Sequence, residues 1–121
     1  VRDIERVMHR TIDPLRFRAN IYIDGCEPWI ERTWIGGKLR IGENAVFAVA
    51  ENITRCAATN VDPKTGARDA HIPRTLGDIF GHEDCGVYLS ALAPGTVKHG
   101  DTVELLAGPA RTSVGDSLGI R

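Results

Sequence analysis

The sequence has few cysteines, almost no net charge and no long apolar run, and each shortage removes a class of function. The 3 cysteines, Cys26, Cys56 and Cys85, are an odd number with no close pair. That argues against a disulfide framework and fits a reducing cytosol, so a cytoplasmic location is expected. The 15 basic and 16 acidic residues leave a net charge of −1. Nucleic acid finds no electrostatic footprint in such a balance, and no polybasic run marks a site for anionic lipid. No apolar stretch approaches the ~20 residues that span a bilayer as a helix. No nucleic-acid partner and no membrane partner is therefore expected. GxGxxG, GxSxG, HExxH and GxxxxGK[ST] are all missing, so dinucleotide, serine-hydrolase, zincin and P-loop readings lack support.

What is present fits an ordinary globular domain. The 121 residues are 42% hydrophobic and 26% charged, near the usual composition for one domain. The first residue is valine, and the chain opens inside a helical pattern, so the C-terminal part of a longer protein is expected. The expected domain covers residues 1–107. A loosely held Gly/Ser/Arg-rich tail is expected over 108–121.

Hydrophobic spacing sets the elements. Val1, Ile4, Val7 and Met8 form one helical stripe. Residues 15–24 alternate, with Phe17, Ala19, Ile21 and Ile23 on one face and Arg16, Arg18 and Asn20 on the other, which predicts a strand. Trp29 and Trp34 anchor a loop, with Glu31 seeking an arginine of the 16–18 segment. Short strands are expected at 38–41, 45–50 and 56–61. Asp62, Pro63 and Gly66 mark a turn. A short helix with Pro73 in its first turn covers 72–80. A strand covers 86–93, a short one ends at Val97, and a last one runs to 107. The fold class is β-rich α+β, a barrel or sandwich with one or two short helices.

Several residues carry candidate chemistry. Cys56 is open to three readings: a packed thiol, a metal ligand or a nucleophile. Arg16, Arg18 and Asn20 on one strand face suit a phosphate or polyoxygenated ligand, because guanidinium binds phosphate bidentately. The same face also fits a solvated, ion-paired surface. His82 and Cys85 in "HEDC" have zinc-binding side chains, but no CxxC or HxxxH supplies a second pair.

Five segments in order are "RFRAN" (16–20), "WIERTW" (29–34), "RCAATNVDPKTG" (55–66), "FGHEDCGVY" (80–88) and "GTVKHGDTVEL" (95–105). Together they resemble the MOSC domain, the molybdenum-cofactor sulfurase C-terminal domain. The resemblance implies a MOSC-type β-barrel that binds the molybdenum cofactor, molybdopterin. In the family's enzyme members, which reduce N-hydroxylated compounds, a cysteine thiolate completes the metal's coordination. Cys56 matches that cysteine, as metal ligand and catalytic residue. Arg18 and Asn20 match the cofactor-contacting pair, and Arg55 matches the arginine before the ligand. Arg16 and Thr59 complete the expected cofactor-binding set. The family's enzymes place a second β-barrel domain N-terminal to this one, and this chain lacks it, so the cofactor is expected to be weakly held or absent in the isolated piece. A small-molecule substrate and a separate electron donor are the other implied partners. Ala19 departs from the family's proline. Two other readings remain: a sulfur-carrier or cofactor-delivery module using a Cys56 persulfide, and a non-catalytic binding domain with a buried Cys56.

Overall fold

A computed structural model describes residues 1–107 and the backbone of 117–120. The expectation of a loose tail falls largely on 108–116 and 121, outside the described residues. Ser117–Ile120 forms a strand. The chain divides into two compact units, one of Val1–Asn20 with Thr54–Cys85, the other of Ile21–Ile53 with the chain from Gly86 on.

Strands dominate the second unit. They are β1 (Ile23–Asp24), β2 (Lys38–Ile41), β3 (Ala45–Thr54), β4 (Asp84–Ala93), β5 (Thr102–Ala107) and β6 (Ser117–Ile120). β3 and β4 each run past this unit's bounds, at Thr54 and at Asp84–Cys85. The sheet order is β1-β6-β5-β2-β3-β4. The pairs β1–β6, β2–β3, β2–β5 and β5–β6 are antiparallel. Among the described residues the sheet stays open, with β1 and β4 at its edges, so the sheet-rich class with a few short helices is met without closure into a barrel.

Alternation explains the central strands. Leu39 and Ile41 of β2 are buried while Lys38 is exposed, as period-two side chains require. They pack with Trp34, Val49 and Val103 in one apolar cluster. On the other face Arg40 lies opposite Glu104 of β5 and pairs with it. β2 turns into β3 through Gly42, Glu43 and Asn44. Gly42 has φ +71°, which favours glycine, and a Cβ there would lie 2.8 Å from an Asp101 carboxylate oxygen and push that side chain aside.

The first unit has little regular structure. Helix α1 (Arg2–Met8) buries Ile4 and ends at His9 in the left-handed conformation. Helix α2 (Ile72–Thr75), with Pro73 in its first turn, continues as a π turn over Leu76–Phe80 and buries Ile72 and Leu76. Two expected strands are not there. Residues 14–17 form a 3₁₀ turn instead, because the Asp13 carboxylate accepts from the Leu15 N–H and Pro14 presets φ. The strand in that region shrinks to β1. Residues 56–61 also form a 3₁₀ turn, Ala57–Asn60, closed by the Thr59 hydroxyl donating to the Cys56 carbonyl at 2.9 Å. Short polar side chains that bond nearby backbone compete with strand formation in this way. The expected short strand ending at Val97 is irregular chain. By contrast, the turn at Asp62–Gly66 forms as expected: the Asp62 carboxylate accepts from the Lys64 N–H at 2.8 Å, and Gly66 has φ +76°.

Candidate functional site

Every candidate site residue lies in the first unit, and the two 3₁₀ turns carry them. The Pro14–Phe17 turn presents Arg16, and Arg18 caps it with φ 51°. The Ala57–Asn60 turn holds Thr59, and Cys56 is its N-terminal cap in extended conformation. Because residues 15–20 are not a strand, the shared face expected for Arg16, Arg18 and Asn20 does not exist. Arg18 and Asn20 are exposed, while Arg16 is 4% exposed.

A buried guanidinium needs partners. Arg16 Nη2 donates to Asp69 Oδ1 at 2.7 Å, and Nη1 makes a long contact of 3.4 Å to the Thr59 carbonyl. Its Nε is buried without a partner. Asp69, and not Glu31, is thus the acid that pairs with the arginine segment. The Arg16 hydrogen bond holds the Asp69 carboxyl below its usual range, and the Arg16 and Arg10 charges act in the same direction. Asp69 also ties down the cysteine turn, since its main-chain N–H donates to the Asn60 carbonyl at 3.1 Å. Asn60 in turn accepts the Ile72 N–H on its side-chain oxygen at 2.7 Å, outside α2's own bonding. Thr59 is 2% exposed, and its N–H and hydroxyl both donate to the Cys56 carbonyl.

Arg55 lies beside this arrangement. Its Nη1 donates to the Phe17 carbonyl at 2.8 Å and its Nε to the Cys85 carbonyl at 2.7 Å. Its guanidinium sits over the Phe17 ring, 5.2 Å from the centroid, a cation–π arrangement. Arg16, Arg55 and Thr59 therefore use their polar groups on the protein itself. Cys56, Arg18 and Asn20 face solvent.

The packed-thiol reading of Cys56 is overturned, since the residue is exposed and unpaired. The zinc reading of "HEDC" gains no support. Among the described residues no three His, Cys, Asp or Glu side chains converge as a metal site. The Asp84 N–H donates to His82 Nδ1 at 3.1 Å, and the Cys85 carbonyl takes the Arg55 bond. Sequence reasoning missed Asp69 and Asn60. The available signal for Asp69 was an arginine placed between Leu15 and Phe17, which calls for a distant acid without saying which.

The MOSC domain model matches residues 1–104. The chain belongs to the MOSC domain family. Among its relatives is mouse mitochondrial amidoxime-reducing component 1, 31% identical over 118 residues that cover 86% of this chain and 33% of the relative. The human protein of the same name is 30% identical over 118 residues, covering 86% and 34%. The molybdenum cofactor sulfurase of Caenorhabditis elegans is 43% identical over 76 residues, covering 61% of this chain and 10% of the relative. The chain thus spans about a third of the amidoxime-reducing relatives. No solved structure matches it. Among the described residues, no helix is long and apolar enough to cross a membrane.

Proposed function

We propose that this chain is the molybdenum-cofactor-binding part of an oxidoreductase that reduces N-hydroxylated compounds, with the Cys56 thiolate as the protein's ligand to the metal. The exposed, unpaired Cys56, with its carbonyl fixed by Thr59, is the observation that carries the reading. The donor set fits the group. Among the described residues, no His, Cys, Asp or Glu side chains converge with this exposed thiol into a four-ligand ion site. It suits a metal that arrives with its own dithiolene sulfurs and needs one more soft donor. The exposed Arg18 and Asn20 would hold the pterin by charge-assisted and amide hydrogen bonds. Arg16 and Thr59 would support the cysteine turn from behind.

When bound, the cofactor supplies the two-electron redox chemistry. The overall conversion takes up two electrons and two protons and releases the substrate's oxygen as water. The electrons come from a separate donor protein. An N-terminal β-barrel domain would complete the cofactor site, and the relatives are long enough to hold one. A closed barrel in this chain also belongs to this proposal. The three cysteines form no disulfide, which fits a reducing compartment such as the cytosol.

The exposure of Cys56 also favours a second reading, sulfur carriage. The thiolate would accept a sulfane sulfur from a donor persulfide, whose own thiol is released. The test is metal and pterin analysis of the full-length protein, wild type against Cys56→Ser. Molybdenum is expected at least tenfold lower in the variant, on the order of the loss that follows removal of a metal's protein partner. Equal molybdenum in both sinks the ligand assignment. An added sulfur on Cys56 after incubation with a cysteine desulfurase, seen by mass spectrometry, would support carriage instead.

A further inference from the structure

The adjacency of Arg55 and Cys56 suggests that the arginine serves the thiol through its charge. The structure points elsewhere. The Arg55 side chain spends two N–H donors on carbonyls of other segments, Phe17 at 2.8 Å and Cys85 at 2.7 Å. Both are charge-assisted lengths. Its own main-chain N–H donates to the Glu83 carbonyl at 2.8 Å.

The Phe17 carbonyl belongs to the peptide that leads into Arg18. Arg18 has φ 51°, a left-handed conformation that is unfavourable for a residue with a Cβ. Such a conformation persists only when its surroundings hold it. The N–H of that peptide, on Arg18, donates locally to the Leu15 carbonyl at 3.1 Å. Arg55 grips the peptide's carbonyl from a distant segment. One residue after the grip is Arg18, and one residue after Arg55 is Cys56.

We propose that Arg55 is a positioning residue: its planar fork ties the Arg18 turn to the Cys56 turn, so that the two exposed groups are set as one unit. This replaces the direct cofactor contact expected of Arg55 and rests on the reading of Cys56 as the ligand position. Only a guanidinium does this. It presents several N–H donors in a fixed plane and stacks on an aromatic face, whereas a lysine ammonium is a point charge on a flexible stem.

Arg55→Lys therefore separates fork from charge. Ile4→Val is the second variant, since it loosens the same unit by removing buried volume while leaving the Arg55 bonds and the Phe17 ring in place. Hydrogen exchange of the full chain without cofactor is measured by mass spectrometry, together with cofactor retention. Arg55→Lys is expected to speed exchange in the peptides covering 16–20 and 56–60 by about tenfold or more, with β2 and β5 unchanged, and to lower retained molybdenum. Ile4→Val is expected to speed exchange around α1 and more broadly through the first unit, without singling out 16–20 and 56–60. Unchanged exchange in Arg55→Lys overturns the proposal, as does an identical pattern in both variants, which marks a purely structural role. The exchange is read without metal, so it decides the role of Arg55 even if Cys56→Ser keeps its molybdenum and the ligand reading fails.

Discussion

Each of the two units owes its own order to different physics. In the unit of Ile21–Ile53 and the chain from Gly86 on, ladders of backbone hydrogen bonds and a cluster of Trp34, Leu39, Ile41, Val49 and Val103 carry the structure. In the unit of Val1–Asn20 and Thr54–Cys85, much of the order comes from side chains bonding to main chain: Arg16, Arg55, Thr59, Asn60 and Asp62 each do so. Apolar packing tolerates conservative exchange, because area and volume are what count. A side-chain-to-backbone network does not, because each bond needs one donor and one acceptor in place. All the exposed candidate ligands sit in the networked unit. A binding site needs fixed directions more than bulk stability, and hydrogen bonds supply direction.

Three changes test that contrast. Ile41→Ala removes a fully buried side chain from the sheet's cluster and should cost about 2–5 kcal/mol, read by urea unfolding. A loss well under this range would mean that packing matters less in the sheet unit than its burial implies. Asp69→Asn acts in the other unit and should show a pH signature. The folded carboxyl titrates below its ordinary value of 3.8 because Arg16 bonds its charged form. Its contribution is therefore fully present above that value and is lost as pH falls through the lowered folded value. The variant should be less stable than wild type at pH 5, and the gap should close in more acid solution. A gap that is constant with pH would contradict the pairing. The smallest effect concerns Cys26. Burial, then the Glu31 and Asp24 charges, push its thiol pKa up. Alkylation followed by mass spectrometry at pH 8 should label the exposed Cys56 ahead of Cys26, and Glu31→Gln should speed Cys26 slightly. A large acceleration would make the neighbouring charge, and not burial, the main cause.

The same contrast explains what was legible in advance. The alternation of Lys38, Leu39, Arg40 and Ile41 reports a buried face directly, and β2, β3, β4 and β5 follow from such local patterns. The helix at 72–80 and the turn at Asp62–Gly66 are equally local, set by Pro73, Asp62 and Gly66. Residues 15–24 also alternate, yet the pattern misleads. Asp13 and Pro14 start a 3₁₀ turn there, and Arg16 turns inward because Asp69, far along the chain, neutralises it. Nothing near Arg16 in sequence announces that partner. The membership proposed for the candidate site came from likeness to a family. Which arginines face outward came only from the fold: Arg18 does and Arg16 does not.

The Arg16–Asp69 pair joins positions 53 residues apart, and that span has a consequence in time. Closing a long loop costs entropy before any contact rewards it, and such contacts form slowly. The β2–β3 hairpin closes through Gly42, Glu43 and Asn44 alone and is expected to form early. During synthesis Cys56 leaves the ribosome before Asp69. For that interval the cysteine turn lacks the acid that anchors it through the Asn60 carbonyl, so the turn takes its final shape only after Asp69 has emerged.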